Sequence, residues 1–399
     1  MTPAARAAAA IGILDALIAG EGRAEPLLRA WGRANRYAGS KDRRAVADIV
    51  YDGLRRPRSL GWRSGASGGR GIVHGLALAE GRGVEEIFSG ARHAPSPLVD
   101  EERRAPAGDP PDPVRHDHPD WLLAPLRESL GARYGACLMA LGGRAPVDLR
   151  ANRLKGGREA ALAALAEDGI AAEPLGAADA IRCPPGAPVA RSRAYRDGLV
   201  EPQDEASQAG AAFAAPAPGE TVLDFCAGGG GKALAFASLM GGRGRIVAHD
   251  VAPARMRDLP SRAARAGARI EIADAAGLGR LKAAVDLVFV DAPCSGSGAW
   301  RRDPEAKWSL TPETLDRRIE DQRAAFAAAL DYMRPGGRIV YATCSILAAE
   351  NGAQARALAA RHGLTLEAEL IRLPDEGADG FYAARLARAR AGDIPAAAD

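Results

Sequence analysis

Hydrophobic residues follow a helical spacing at the start of the chain. Within residues 3–95 they recur at intervals of three and four positions, which predicts amphipathic helices. The first apolar face consists of Ile11, Leu14, Leu17 and Ile18, and the second consists of Val46, Ile49, Val50 and Leu54. We therefore expect residues 1–95 to form an all-helical domain.

From residue 221 onward, short apolar runs alternate with helical stretches. The run that begins at Val285 has almost no polar alternation, which is typical of a strand buried on both faces of a sheet. Strands are predicted at 221–224, 245–250, 269–272, 287–291 and 338–341, and helices at 232–240, 254–266 and 312–332. This alternation predicts an α/β fold with a doubly wound, mainly parallel sheet.

Composition marks the boundaries between these parts. Residues 96–118 are rich in proline and charged residues, which is typical of an extended linker. Residues 119–204 predict a small α/β unit, with helical residues at 121–141, a strand at 147–152 and a helix at 158–167. We therefore divide the chain into a helical domain at 1–95, a linker at 96–118, the small unit at 119–204 and a larger α/β domain at 205–392.

Charge and cysteine usage exclude several classes of protein. The net charge of +3 over 399 residues is too small to identify a partner. Five cysteines form no Cys-x-x-Cys pair and the six histidines are scattered, which argues against a zinc site and against a disulfide framework. No stretch reaches the roughly 18 unbroken apolar residues that a membrane-spanning helix requires. We expect a reduced, cytoplasmic monomer without metal or membrane segment.

A glycine-rich loop follows the first strand of the larger α/β domain. Residues 224–232 read Asp-Phe-Cys-Ala-Gly-Gly-Gly-Gly-Lys and lead into a helix, whose free N–H groups can bind polar or anionic atoms. Asp250 ends the next strand, where a carboxylate can accept hydrogen bonds from ribose hydroxyls. Asp274 follows the third strand and is either a contact for an adenine edge or a surface turn acid. These residues predict a nucleoside cofactor site, and a dinucleotide stays an alternative.

Two cysteines follow two strands of the predicted sheet. Cys294 ends the segment Asp-Ala-Pro-Cys at 291–294, and Cys344 lies within Thr-Cys-Ser at 343–345. Functional groups in parallel sheets collect at the carboxyl ends of the strands, so both thiols are expected to face one substrate near the nucleoside site. For Cys137 and Cys183 we expect only a packing role, as for most buried cysteines.

Together, these motifs resemble the Sun/Nop/RsmB family of S-adenosylmethionine-dependent RNA cytosine-C5 methyltransferases. The resemblance rests on the loop at 224–232, on Asp-Ala-Pro-Cys-Ser-Gly-Ser-Gly at 291–298, and on Tyr-Ala-Thr-Cys-Ser-Ile at 341–346 with Glu350-Asn351 after it. Flanking segments at 150–155, 203–208 and 379–382 fit as well. The helical start resembles the NusB-like, RNA-binding domain of the RsmB-like bacterial branch, so the resemblance covers nearly the whole chain.

The resemblance implies a Rossmann-like class I methyltransferase domain that acts on RNA, with small-subunit ribosomal RNA as the expected substrate. By resemblance, Cys344 is the nucleophile that adds to carbon 6 of the cytosine, and Cys294 helps to release the product. Asp291 and Lys232 complete the implied catalytic group. The residues alone do not rank the two cysteines, and their order comes from the family.

S-adenosylmethionine is the implied cofactor, bound by residues around the glycine loop. These are Cys226, Ala227, Gly228, Gly229, Gly230, Gly231, Lys232, Asp250, Arg255, Asp274 and Asp291. The family usually has Ala-Pro where this chain has Gly228-Gly229, which predicts a less rigid loop and weaker cofactor binding.

RNA contacts are expected from residues of the small unit and from the segment after the cysteine turn. The candidates are Arg150, Asn152, Lys155, Trp300, Arg301 and Arg302. For Trp300 an anchoring role in its loop is an equal alternative.

Other interpretations stay open. An NAD-linked oxidoreductase would use the glycine loop and Asp250, but it would leave both strand-end cysteines without a role. A non-catalytic RNA-binding protein with a relic methyltransferase fold is a second alternative, against which the intact Cys294 and Cys344 argue. The same chemistry on transfer RNA or DNA is a third.

Overall fold

The computed structural model describes residues 1–104 and 107–388. Contacts divide the chain into two compact units. The helical unit comprises Met1–Arg144 with Trp300–Leu310, and the sheet unit comprises Ala145–Ala299 with the chain from Thr311 onward. Residues 105 and 106 of the predicted linker and residues 389–392 of the predicted α/β domain lie outside the described residues. The division into four domains stays a prediction.

The helical unit is built on α1, α3 and α5, whose apolar sides share one core. Its helices are α1 (Pro3–Ile18), α2 (Ala24–Ala34), α3 (Ser40–Arg55), α4 (Pro57–Ser64), α5 (Gly68–Ala79), α6 (Val84–Ile87), α7 (Asp112–Arg115), α8 (Leu123–Leu130) and α9 (Tyr134–Gly142). Leu14, Val46 and Val50 are fully buried in the shared core, as the helical spacing predicts. The prediction is wrong for Ile18, which is 61% exposed because it lies in the last turn of α1.

The sheet unit begins with a small antiparallel sheet in the order β2-β3-β1-β4. Its elements are β1 (Val147–Ala151), α10 (Gly157–Glu167), β2 (Glu173–Pro174), β3 (Ala180–Cys183), α11 (Arg193–Arg196) and β4 (Val200–Pro202). The strand and helix predicted here at 147–152 and 158–167 agree with β1 and α10 to within one residue.

A seven-stranded sheet forms the rest of this unit, in the order β10-β11-β9-β8-β5-β6-β7. The elements are α12 (Glu205–Phe213), β5 (Thr221–Asp224), α13 (Gly231–Leu239), β6 (Arg245–Ala248), α14 (Leu259–Ala266), β7 (Glu271–Ile272), α15 (Ala275–Gly279), β8 (Val285–Asp291), α16 (Pro304–Ser309, in the helical unit), α17 (Pro312–Leu330), β9 (Met333–Thr343), α18 (Gly352–His362), β10 (Leu364–Arg372) and β11 (Phe381–Arg388). Strands β5 to β9 pair in parallel, which confirms the predicted fold class. The antiparallel pair β10 and β11 was not predicted.

Alternate residues of the central strands enter two different cores. On β8, Leu287 and Phe289 pack into one core, whereas Val288 and Val290 pack into the other. Because both faces are covered, the strand can be apolar throughout, as its sequence is. The parallel pairing also places the carboxyl ends of β5, β6, β8 and β9 at one edge of the sheet, where the candidate site lies.

Candidate active site

Two cysteine thiols meet at the carboxyl edge of the sheet. Strand β8 pairs with β9 so that Asp291 lies opposite Ala342, and the turns that follow carry Cys294 and Cys344. The two Sγ atoms are 3.4 Å apart, and both residues are half-buried. The structure thus brings the two predicted thiols into direct contact.

Burial and the neighbouring sulfur determine the protonation of Cys294. The hydrogen bond to Cys344 and the burial of the side chain raise the pKa of Cys294 well above its ordinary value. Cys294 therefore keeps its proton at neutral pH. Burial raises the pKa of Cys226 to about 12, helped by the nearby Asp224 carboxylate, so this third thiol also stays neutral.

Lys232 and Asp291 form an ion pair beside the cysteines. The Lys232 Nζ atom donates to Asp291 Oδ2 at 3.0 Å and lies 5.1 Å from the centre of the Phe381 ring. Burial acts to lower the pKa of Lys232, but the Asp291 carboxylate outweighs it and the pKa is raised. Lys232 therefore supplies a fixed positive charge within the site.

The glycine loop needs glycine at two positions. Gly228 and Gly230 have φ values of +53° and +82°, a region that residues with a Cβ atom rarely adopt. At Gly230 a Cβ atom would also lie 2.2 Å from Leu259 Cδ1. Glycine at these two positions is therefore required by the conformation of the loop and by its packing against Leu259 and Arg255.

Asp250 anchors this loop from the next strand. Its carboxylate accepts hydrogen bonds from the N–H groups of Gly228 and Ala252 and from Arg255 Nη1, at 2.9, 2.9 and 3.0 Å. Asp250 is buried, whereas the Arg255 side chain is 62% exposed. Both predicted cofactor residues thus lie next to the loop.

Asp274, another of the predicted cofactor residues, makes a helix-capping hydrogen bond. It is exposed and caps α15 by accepting the Gly277 N–H at 2.7 Å. This is the helix-capping behaviour expected of a turn acid. Its contact with an adenine edge stays a prediction.

Sequence reasoning did not single out Asp224, the last residue of β5. Its carboxylate is fully buried, and no side chain donates a hydrogen bond to either oxygen, although the Ala233 backbone N–H approaches it. Burial, together with the negative charge of Asp291, raises the pKa of Asp224 from its ordinary value near 3.8 to about 7. A buried carboxyl group with so few donors around it is costly, which leaves Asp224 able to accept further hydrogen bonds. The acid at position 224, where the glycine loop begins, was the sequence feature that could have identified this residue.

The residues predicted to contact RNA occupy different environments. Arg150 and Asn152 are buried in the sheet unit, where Arg150 Nε donates to Gln203 Oε1 at 2.7 Å and Asn152 Nδ2 donates to the Ala266 carbonyl at 2.8 Å. Lys155 is exposed. The observed contacts of Arg150 and Asn152 are structural, and RNA binding by these residues stays a prediction.

The other predicted RNA residues belong to the helical unit. The Trp300 ring is 1% exposed, in keeping with the anchoring alternative. Arg301 is buried and accepts a hydrogen bond from Arg55 Nε at its carbonyl, whereas Arg302 is exposed. RNA binding by these three residues likewise stays a prediction.

Metal ligands and membrane spans were also searched for in the structure. Within residues 1–104 and 107–388, no three His, Cys, Asp or Glu side chains gather in a way that could hold a metal ion. None of the helices described is both long and apolar enough to cross a bilayer.

Comparison with known proteins gives consistent matches. The family described as 16S rRNA methyltransferase RsmB/F matches residues 211–387, and the ferredoxin-like domain of RsmF/B-like methyltransferases matches residues 118–190. Ribosomal RNA small subunit methyltransferase B of Sodalis glossinidius is 34% identical over 312 residues, which cover 74% of this chain and 69% of that protein.

Solved structures show the same fold. The protein PH0851 superposes with a TM-score of 0.76 at 23% identity, over 97% of this chain and 99% of that one. A methyltransferase homologue from Pyrococcus horikoshii superposes with a TM-score of 0.61 at 22% identity, over 69% of this chain and 97% of that one.

The raised pKa of Asp224 predicts a stability that depends on pH. Between pH 4 and 7 the folded, cofactor-free protein binds more protons at Asp224 than the unfolded chain does, so its stability falls as the pH rises. Asp224→Asn cannot ionise, so the variant should gain at least ~1 kcal/mol relative to wild type between pH 5 and pH 8. Urea unfolding at both pH values measures this, with the exposed Asp331→Asn as control. An Asp224→Asn difference independent of pH would contradict the assignment.

Proposed function

The chain belongs to the RsmB/F family of 16S rRNA methyltransferases, and from this premise we propose that it methylates carbon 5 of a cytosine in small-subunit ribosomal RNA. In this proposal the methyl donor is S-adenosylmethionine, and Cys344 bonds transiently to carbon 6 of the base. The observation that carries the proposal is the 3.4 Å contact between Cys294 Sγ and Cys344 Sγ at the edge of the methyltransferase sheet.

Cysteine chemistry suits this reaction. Carbon 5 of cytosine is a poor nucleophile, and adding a thiolate at carbon 6 pushes electron density toward it. Addition and later elimination replace one difficult step with easier ones. A free thiol is only a few per cent ionised at neutral pH, so the surroundings must favour the anion on one sulfur. The fixed charge of Lys232, whose pKa the Asp291 carboxylate raises against burial, is one such influence.

The raised pKa of Cys294 supports the assignment of the two roles. Cys294 keeps its proton in the resting site, 3.4 Å from Cys344 Sγ, and is therefore not the sulfur that attacks the base. Once Cys344 has bonded to the base, its sulfur is a thioether and a much weaker acceptor. The largest cause that raises the pKa of Cys294 is then weakened, so Cys294 loses its proton to solvent more easily, and the resulting thiolate can take the proton from carbon 5. One pair of thiols thus serves both halves of the reaction.

The residues around the glycine loop fit S-adenosylmethionine. Asp250, at the end of the neighbouring strand, accepts the Gly228 N–H of the loop, and Asp224 holds a buried carboxyl group to which no side chain donates a hydrogen bond. A cofactor with a positively charged group would place an opposite charge next to the Asp224 carboxyl group. When bound, it provides a methyl group on a sulfonium sulfur that is ready for transfer.

Asp291 is the proposed contact for the cytosine. One of its oxygens accepts from Lys232, and its side chain is 29% exposed and therefore open to a ligand. A carboxyl group at this place can hydrogen-bond the ring nitrogen or exocyclic amine of the base as electron density moves into the ring. The target base must first leave its stack, which costs a few kcal/mol and is least costly in a loop or single strand.

Replacing Cys344 with Ala should abolish methylation. Loss of the nucleophile should reduce the rate on small-subunit ribosomal RNA by about three orders of magnitude or more. Bisulfite sequencing of this RNA, from cells whose only gene copy encodes Cys344→Ala, measures the loss at the modified cytosine. Cys137→Ala, a buried cysteine of the helical unit, is the control and should keep the methyl group. Full methylation by Cys344→Ala would refute the proposed role.

Replacing Cys294 with Ala should instead trap the enzyme on its substrate. The variant can still add Cys344 to the base and transfer the methyl group, but it lacks the proposed base for the release step. A covalent protein–RNA complex should therefore accumulate with unmodified RNA and appear as a shifted band on a denaturing gel. Wild type should show no such band in the steady state. A Cys294→Ala enzyme that turns over freely would remove Cys294 from product release.

A further inference from the structure

A single buried carboxylate joins the two cysteine turns. Glu350 Oε1 accepts the Ser295 N–H at 2.8 Å, and Oε2 accepts the hydroxyl groups of Ser295 and Ser345 at 2.5 and 2.6 Å. Ser295 directly follows Cys294, and Ser345 directly follows Cys344. One side chain therefore holds the residue after each thiol.

Further hydrogen bonds complete the connection. Gln322 Nε2 donates to Glu350 Oε1 at 3.0 Å and to the carbonyl of Pro293, the residue before Cys294, at 3.1 Å. The Gly298 N–H donates to the Cys344 carbonyl at 2.9 Å, which ties the turns together directly. Both peptide groups next to Cys294 and the carbonyl of Cys344 are thus fixed.

The chemistry of this cluster requires a carboxylate. Glu350 is fully buried, and all four groups that approach its oxygens are donors. A glutamine would have one acceptor oxygen, and its amide N–H groups would face donors. Removing the acceptor would leave buried donors unsatisfied at about 1–3 kcal/mol each. The hydrogen bonds of a buried network depend on one another, so the loss of one acceptor would shift both cysteine turns.

We propose that Glu350 is a positioning residue that holds Cys294 and Cys344 in register, so that their sulfur atoms stay in contact. Its importance for methyl transfer rests on the proposed function of the cysteines, whereas the positioning itself does not. The negative charge of Glu350 also acts on Cys294. The hydrogen bond to Cys344 and burial are the largest causes of the raised pKa of Cys294, and the charge of Glu350 raises this pKa further. Glu350 thus supports both the geometry of the pair and the retention of the proton on Cys294.

Phenylarsine oxide provides a probe of the geometry that is independent of catalysis. The arsenic atom bonds to two thiols held close together and releases one water, so that two S–H bonds are replaced by two S–As bonds with no change in the oxidation state of sulfur. Capture by the full-length protein is followed by intact-protein mass spectrometry under native conditions. Cys294→Ala, which has no pair, defines the background from the remaining cysteines.

Glu350→Gln should weaken capture at least about tenfold, because the loss of two donor contacts frees the turns. Glu220→Gln is the matched control: Glu220 lies in the same unit and accepts from the Ala217 N–H and from Arg338 at 2.8 Å, outside the cysteine turns. The Glu220→Gln variant should be less stable than wild type, and its capture of phenylarsine oxide should stay at the wild-type level. If Glu350→Gln fails to fold, Ser345→Ala takes its place, because it keeps the buried carboxylate and removes the Ser345 hydroxyl, which donates to Glu350 and accepts the Leu347 N–H. Wild-type capture by whichever of these two variants is folded would overturn the proposal.

Kinetics with S-adenosylmethionine and RNA separate positioning from the chemistry. Glu350→Gln should lower kcat at least about tenfold and leave KM for RNA within about twofold, because the misplaced thiols affect the reacting geometry and not RNA contacts. An unchanged kcat would overturn the proposal. A wild-type enzyme that fails to methylate any RNA would refute the proposed function, and the arsenical assay would still decide the positioning role of Glu350.

Discussion

The contact between two sulfur atoms depends on how two neighbouring strands pair. Strand β8 lies parallel to β9, so the chain leaves both strands at the same edge and at the same height. A register shift of one residue would turn each following side chain to the other face of the sheet. Such a shift would exchange Leu287 and Phe289 with Val288 and Val290 between the two cores, and because these side chains differ in size, the close packing of both cores opposes it. The pairing register of β8 and β9 therefore determines both the packing of the cores and the positions of the two thiols.

Charge is distributed unevenly around these sulfur atoms. Lys232 is a buried cation paired with Asp291, while a second carboxyl group, Asp224, lies fully buried without a hydrogen bond from any side chain. The cofactor-free site thus has more acidic groups than partners for them. A cationic cofactor would correct this imbalance, which links the methyl donor to the residues that prepare the thiols. The buried Glu350 is satisfied differently, by four donors of the protein itself.

The sequence was sufficient to predict the parts that follow local rules. The apolar runs predicted β5 and β8 because a strand buried on both faces lacks polar alternation, and strand ends predicted where the two cysteines would lie. Strands β10 and β11 were not predicted, since four of the nine positions in β10 are exposed and none is buried, and the pair joins the sheet through antiparallel pairing of β11 with the distant β9. In the sequence, Glu350 stood out only because it follows the Tyr-Ala-Thr-Cys-Ser-Ile motif at 341–346. Its role depends on Ser295, which lies 55 positions earlier, and no local pattern reveals that hydrogen bond.

The central claim is that Cys344 forms the bond to the base. It is tested most directly by incubating wild-type protein with S-adenosylmethionine and RNA that contains 5-fluorocytidine, in which the carbon-5 position cannot lose a proton, and mapping the trapped adduct by peptide mass spectrometry. The account predicts a nucleotide on the peptide that contains Cys344. A nucleotide on the Cys294 peptide, or no adduct on either, would contradict it.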